Sequence, residues 1–246
     1  MNKFIACLAA IVFLASAASA VTKTPALSGA TGLVKMPTGD VLNSRDFNVG
    51  LDYFFDNSNS GSAPAPGGND PRGTWSYKMN IGAYGSKTQG FEMGFIGRTE
   101  RTTSRIKEGV FINLKYSLSG SDDPEDLRLA IGLENLTSNT ETDAYMVATK
   151  YFRGGAGLHF GAMFDFPDSK FRPLGMIGLG IPVGSPQLTL MTEAFGGESM
   201  FQANAGLRMS FNSTFSLLVR ALNVTGSSTS KDVSSFSLGF SASNFL

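Results

Sequence analysis

Apolar and polar residues alternate in about twelve successive runs from residue 45 to the chain end. This predicts an all-β chain closed into an antiparallel transmembrane β-barrel of about 12 strands, with 10–14 compatible with the pattern. Two further observations support the prediction. Helical spacing is nearly absent after residue 45, and the last run, Phe236, Leu238, Phe240 and Ala242, carries its apolar face almost to the terminal Phe245 and Leu246. The predicted organisation is a leader at 1–20, a periplasmic or lumen-plugging segment at 21–44 and a barrel at 45–246.

The leader has a positive start at Lys3, an apolar centre from Phe4 to Leu14 and a small-residue cleavage site at Ala18-Ser19-Ala20. Its apolar stretch is shorter than the roughly 20 residues a membrane helix needs, so it reads as a secretory signal and not an anchor. Cys7, the chain's single cysteine, lies inside that stretch, so disulfide and thiol chemistry are not expected of the mature chain. Charged residues are 16% of the chain and their formal net charge is +0, which gives no reason to expect nucleic acid as a partner. Gly (29) and Phe (20) are abundant, as in a protein that spreads its apolar residues thinly over many strands.

The strands follow in order. Residues 45–56 place Phe47, Val49, Leu51, Tyr53 and Phe55 opposite Asp46, Asn48, Gly50 and Asp52. Residues 74–85 oppose Trp75, Tyr77, Met79 and Ile81 to Ser76, Lys78, Asn80 and Gly82. Residues 89–98 oppose Phe91, Met93 and Phe95 to Glu92 and Gly94, and 108–118 oppose Val110, Ile112, Leu114 and Tyr116 to Asn113, Lys115 and Ser117. Residues 126–136 alternate Leu127, Leu129, Ile131 and Leu133 with Arg128, Gly132 and Glu134. At 143–153, Tyr145, Val147 and Tyr151 are read as the apolar face. Residues 157–166 set Leu158, Phe160, Ala162 and Phe164 against His159, Gly161 and Asp165. Residues 171–183 are Gly-rich and their facing is ambiguous. Residues 187–195 set Leu188, Leu190 and Ala194 against Thr189 and Glu193. Residues 201–211 alternate Phe201, Ala203, Ala205, Leu207 and Met209 with Gln202, Asn204, Gly206, Arg208 and Ser210. Residues 214–224 set Phe215, Leu217, Val219 and Ala221 against Ser216 and Arg220, and the terminal run completes the set.

Connection lengths fit the same arrangement. If the N-terminus is periplasmic, the outward connections include the long ones at 57–73 and 99–107, while tight turns fall at 153–155, 182–186 and 212–213, with 119–125 a looser exception. A soluble β-sandwich also alternates. Against it, the apolar face concentrates Tyr53, Phe55, Trp75, Tyr77, Tyr116, Tyr145 and Tyr151 near strand ends, as interfacial girdles do.

The segment before the first strand contains Thr31-Gly32-Leu33-Val34-Lys35-Met36-Pro37-Thr38 and then Asp40-Val41-Leu42. This stretch resembles the opening of exopolysaccharide-associated YjbH-type outer-membrane barrel proteins, with Gly39 where Ala is expected. The resemblance covers about fifteen residues and implies an outer-membrane barrel with a possible link to surface polysaccharide export. A turn-rich lead-in, with Gly29 and Gly32 permitting tight turns and Pro37 ending pairing, explains the same residues. Folding into the lumen as a plug is a third reading. The C-terminal strand, for its part, resembles the signal recognised by the outer-membrane insertion machinery.

No residue set points to catalysis or to a metal. His159 is the only histidine; twelve-stranded outer-membrane phospholipases use a lipid-facing Ser/His pair, whereas alternation turns His159 inward. Several Cys or His ligands, as zinc requires, are missing, the acidic run at 122–126 lacks the spacing of a calcium loop, and the glycines at 175–180 are followed by no helix. No cofactor is expected. The inward face is informative: Lys78, Arg98, Lys115, Arg128, Lys150, Arg208 and Arg220 oppose Asp46, Asp52, Glu92, Glu134, Asp165 and Glu193. The candidate pore-lining residues are Lys78, Glu92, Lys115, Arg128, Glu134, Asp165, Glu193, Arg208 and Arg220. In a porin they would set a field across the pore; in a filled barrel they would pair with one another. The expected protein is a bacterial outer-membrane porin or channel passing small polar solutes or ions, partnered by outer-membrane lipids. A non-conducting structural or assembly barrel linked to exopolysaccharide is the alternative, and a lipid-modifying enzyme a distant third.

Overall fold

A computed structural model describes residues 23–55, 74–85, 89–99, 106–119, 123, 125–138, 141–167, 171–198, 201–225 and 235–244. The leader, the 57–73 connection, Asp122 and Pro124 of the acidic run and the terminal Phe245 and Leu246 lie outside these residues. Among the described residues there are twelve strands: β1 (Phe47–Phe55), β2 (Thr74–Gly85), β3 (Gly90–Thr99), β4 (Ile106–Ser117), β5 (Arg128–Glu134), β6 (Glu141–Tyr151), β7 (Gly157–Pro167), β8 (Arg172–Val183), β9 (Ser185–Gly196), β10 (Phe201–Ser210), β11 (Phe215–Leu222) and β12 (Ser235–Ser243). Each strand pairs antiparallel with its sequence neighbours, and β1 pairs with β12 to close the barrel. The closing seam runs from Asn48↔Ser243 through Leu51↔Phe240 to Phe55↔Phe236. Closure leaves no strand edge facing hydrocarbon, where each unpaired backbone group would cost several kcal/mol.

Chain turns distinguish the two ends. At one, β8 passes to β9 through Gly184 alone (φ 66°). There too, β6 passes to β7 through a turn containing Gly154 and Gly155 (φ 96° and 83°). Left-handed backbone of this kind favours glycine. The β10–β11 turn at the same end is tied by Asn212 Oδ1, which accepts the N–H groups of Thr214 and Phe215 at 2.8 Å. We call this the turn end. In outer-membrane barrels short turns usually lie on the periplasmic side and longer loops outside. The opposite mouth is the loop end.

Burial is inverted relative to a soluble protein. Leu51, Met79, Ile131, Phe160, Ile177, Leu190, Val219 and Leu238 are exposed on the outside, whereas Asp52, Lys78, Asn80, Glu92, Lys115 and Glu193 are buried within. A β-sandwich would bury the first set and expose the second. Aromatic rings gather at the rims: Tyr53 lies 4.8 Å from Phe55 and 4.9 Å from Trp75 at the loop end. At the turn end Phe215 stacks on Phe240 at 5.7 Å.

One strand departs from the expected facing. In β6 the register sets Tyr145 opposite Gly132 of β5, and Thr149 opposite His159 of β7. Residues directly opposite share a face, so Tyr145, Val147 and Tyr151 point inward and are buried. Met146 is the exposed outward residue, and Lys150 lies on the outward parity opposite Leu158, not on the lumen face. Tyr145 and Tyr151 therefore do not belong to the girdle. Both faces of β6 are rich in apolar or small residues, so alternation alone could not say which was which. The ambiguous β8 is resolved in the same way, with Leu174, Met176, Gly178 and Gly180 inward.

Leu51 sits midway along β1 on the outer face, so Leu51→Arg should destabilise the lipid-embedded protein by about 2–4 kcal/mol. Ser237→Ala should leave stability unchanged or raise it, because the Ser237 hydroxyl is buried in the wall without a hydrogen-bond partner. Urea unfolding in lipid bilayers measures both; equal costs would contradict the assigned faces.

Candidate functional site in the barrel lumen

The segment before β1 lies inside the barrel. From Thr24 to Leu42 every residue except Lys35 is buried, with Ala26, Val34 and Met36 at 0% exposure. It folds on itself as a compact hairpin. Isolated bridges join Pro25 to Thr31 and Gly32 to Pro37. Internal bonds run from Ala26 N to Ala30 O, Leu27 N to Val34 O and Thr38 N to Thr31 O, at 2.7–3.1 Å. Gly29 adopts a φ of 104°, a turn conformation that glycine tolerates.

The barrel wall holds this hairpin largely by its backbone. Glu193 on β9 accepts three consecutive N–H groups, from Val34 (3.1 Å), Lys35 (2.8 Å) and Met36 (2.9 Å), and a fourth bond from Asn204 at 2.8 Å. Glu92 on β3 accepts the Thr31 N–H (2.8 Å), the Thr31 hydroxyl (2.7 Å) and the Leu42 N–H (3.1 Å). Donors face the carbonyls: Lys78 to Ala26 O at 2.9 Å, Asn80 to Gly29 O at 2.6 Å, Asn113 to Ser28 O at 2.8 Å and Lys115 to Thr31 O at 2.8 Å. Arg208 donates to the Thr24 hydroxyl at 3.1 Å, and Arg220 to Pro25 O at 3.4 Å. Asp52 is ion-paired with both Lys78 and Arg220. Buried charges persist only where such partners offset their lost hydration. Here the hairpin backbone supplies much of the compensation.

The foot of the hairpin is fixed at the turn end. Asp40 is ion-paired with Arg128, accepts the Tyr151 hydroxyl and lies 3.3 Å from the Thr38 hydroxyl. Gly39 N–H donates to Thr149 Oγ1 at 2.7 Å, and Thr149 shares a 2.8 Å bond with His159 Nδ1. Burial by itself would raise the Asp40 carboxyl. The Arg128 guanidinium and the Tyr151 hydroxyl, with His159 and Lys115, bring it instead below the ordinary aspartate value of 3.8. His159 thus faces the lumen, with the Tyr151 ring edge-on at 5.9 Å.

Apolar contacts complete the fill. Met36 packs with Ala130, Tyr145, Val147, Met163, Leu174, Met176 and Phe195, all inward residues of β5–β9. The hairpin's Leu27, Leu33 and Val34 pack with Met191 and Leu218, flanked by Phe54 and Leu222. A Cβ on Gly178 would lie 3.2 Å from Met36 Sδ, and one on Gly206 would lie 3.0 Å from Val34 Cγ2. These wall glycines make room for the hairpin.

Of the candidate residues, Lys78, Glu92, Lys115, Glu193, Arg208 and Arg220 converge on residues 24–42, and Arg128 on Asp40. Glu134 and Asp165 stand apart toward the loop end, in a cross-strand row Glu134↔Asp143↔Asp165↔Arg172, where Asp165 pairs with Arg172. The Arg98 side chain lies outside the described set. Sequence reading missed Asp40, Asn80, Asn113, Thr149 and Tyr151. The inward parity of Asn80 and Asn113 is a usable signal; Asp40 stands in the 31–42 stretch with no partner indicated, Tyr151 reads as lipid-facing, and Thr149 carries no signal. Among the described residues no group of three or more His, Cys, Asp or Glu side chains could hold a metal ion.

Glu193→Ala would leave buried N–H groups at residues 34–36 unpaired, at about 1–3 kcal/mol for each orphaned donor. Amide exchange at these three positions should accelerate at least about tenfold, with Glu193→Gln intermediate and the barrel strands unchanged; uniform acceleration across the strands would contradict the local anchoring. The Asp40 contribution has a depressed carboxyl, so it is fully present above pH 3.8 and lost only as pH falls through the lower folded value. Exchange at residues 38–42, corrected for its intrinsic pH dependence, should therefore be flat between about pH 5 and 8 and rise only in stronger acid.

No protein-family model matches the chain, and no curated protein matches it. Among solved structures the fold is similar to that of the KdgM porin, at 9% identity over 79% of this chain and 98% of that one, with a TM-score of 0.53. An outer membrane channel from Pseudomonas putida F1 (12% identity, 83% and 96% covered, TM-score 0.49) and a bacterial polysaccharide outer membrane secretin (11%, 83% and 99%, 0.43) overlie it more loosely. Its closed twelve-strand barrel, a fold similar to that of the KdgM porin, and its apolar exterior make the chain a bacterial outer-membrane β-barrel.

Proposed function

We propose that the protein is an outer-membrane channel for small polar solutes or ions, closed in this state by its own N-terminal segment. The observation that carries the reading is the way the lumen is filled. Among the described residues, the main chain of 24–38 bonds to itself and to wall side chains, and joins no strand of the barrel. A permanent core would gain from apolar walls throughout. Instead β1–β4, β10 and β11 turn Asp52, Lys78, Glu92, Lys115, Arg208 and Arg220 toward the hairpin, and water or a polar solute could satisfy the same groups. The likeness to the KdgM porin accords with this reading at the level of fold.

A second reading has its own support. Tyr145, Val147, Met163, Leu174, Met176 and Phe195 form a dry wall over part of the lumen, as a permanently filled barrel would have. In that case the protein is a structural or assembly barrel, and the resemblance of residues 31–38 to YjbH-type proteins suggests service to surface polysaccharide.

Planar-bilayer conductance separates the two. The wild-type protein should show rare, discrete openings. Glu193→Ala and Glu92→Ala, each removing a hairpin anchor, should make openings more frequent by about tenfold or more. Silence of all three proteins, each verified as folded in the bilayer, would support the structural reading and end the channel proposal.

A further inference from the structure

The hairpin's two ends lie together. Lys23 Nζ donates to Val41 O at 2.5 Å, and Asn48, near the turn end of β1, donates to Lys23 O at 3.0 Å. The described segment therefore enters and leaves the lumen by one mouth and does not thread from one end to the other. Its internal bonds make it a unit that can move without refolding. Its tether to β1 is a sharp bend: Arg45 has a φ of 71°, its N–H donates to Gly82 O at 2.9 Å, and Asp46 N–H returns to Asn43 O at 3.1 Å. A Cβ on Gly82 would collide with Asn43 O, so the bend leaves no room for a side chain there. Beside this bend stands the one ion pair between hairpin and wall among the described residues, Asp40 with Arg128. The Arg128 side chain is 28% exposed while that of Asp40 is buried, so solvent reaches the guanidinium side of the pair only.

We infer that the hairpin is a gate that withdraws as one body through the turn-end mouth, pivoting at residues 43–45, with the Asp40–Arg128–Tyr151 cluster as its latch. The inference rests on the channel reading and adds to it the moving part, the direction of movement and the group that holds it shut. Strand pairing does not have to break. The exchange is of side-chain-to-backbone bonds for bonds to water on both surfaces, which is close to balanced for each neutral pair. The largest asymmetric cost is exposing Leu27, Leu33, Val34 and Met36. This keeps the closed state dominant.

Val34 and Gly206 allow a direct test in the full chain. The Gly206 Cβ position lies 3.0 Å from Val34 Cγ2, about the separation between a Cβ and the far sulfur of a disulfide. The protein carrying Val34→Cys and Gly206→Cys, with Cys7→Ser, should conduct when reduced and fall silent when oxidised, by at least about tenfold in opening frequency. In the reduced protein an impermeant maleimide added on the turn-end side should modify the cysteine at position 34, and added on the loop-end side should not. Asp40→Asn should speed that modification several-fold, since a charge-assisted pair is lost. Equal conductance in both redox states, or no modification even with Asp40→Asn, would overturn the gate while leaving the channel reading standing. Modification from the turn end without any conductance would support the movement and overturn the channel reading.

Discussion

Hydrocarbon cannot hydrogen-bond a peptide group, and this constraint organises the rest of the structure. Twelve strands satisfy it only as a ring, so the first and last staves must meet, and the Asn48–Phe55 pairing with Phe236–Ser243 is the step that completes the fold. Once the ring is shut, the alternation of side chains assigns every strand one lipid face and one lumen face. The exterior then requires little beyond apolar groups and aromatic rims. The interior is harder to fill, because a closed ring of this size turns many side chains toward a confined space.

The hairpin addresses that difficulty. Lys78, Lys115, Glu92 and Glu193 are each almost fully removed from solvent, a costly condition for unpaired ions. Only some of that cost is met by wall-to-wall pairing, as at Asp52 with Lys78 and Arg220. Elsewhere the compensating dipoles come from the hairpin's own peptide groups, acceptors set before lysines and donors before glutamates. Backbone recognition of this sort constrains the hairpin's conformation more than its side chains. Glycine or small residues are needed where it turns or touches the wall, at Gly29, Gly32, Gly178 and Gly206.

The exterior was legible in the sequence because period-two alternation reports directly on which residues meet lipid. β1 through β5 and β9 through β12 face as expected. β6 departs from its expected facing for a physical reason. Its lumen residues Tyr145, Val147 and Tyr151 are as apolar as its lipid residues Ala144, Met146 and Ala148, so pattern alone has no contrast to work with, and cross-strand register decides. The inward charges were also legible as inward. Their partners were not, since no periodicity links Glu193 to Val34 across 159 positions of chain. In sequence the segment before β1 reads equally as a YjbH-like opening, a turn-rich lead-in or a lumen plug. Its burial inside the barrel depends on contacts with β2, β3, β4, β9, β10 and β11 that exist only after closure.

That dependence orders folding and function together. The wall groups that grip the hairpin come from strands far apart in sequence, so the hairpin has no complete binding surface until β12 has joined β1. Docking adds to a ring whose own backbone hydrogen bonds are satisfied strand to strand. An element held by side chains and not by the ladder contributes little to the ring's own pairing. In the proposed gate, its release would free polar groups to water, which could replace each lost partner, whereas strand separation would orphan peptide groups in lipid. The two costs differ because the solvents differ: several kcal/mol for each peptide group bared to hydrocarbon, and about 1 kcal/mol net for each hydrogen bond exchanged with water. Under the channel proposal the barrel would thus remain rigid while its contents move, and the same inner charges would serve as anchors in the closed state and as the lining of a passage in the open one.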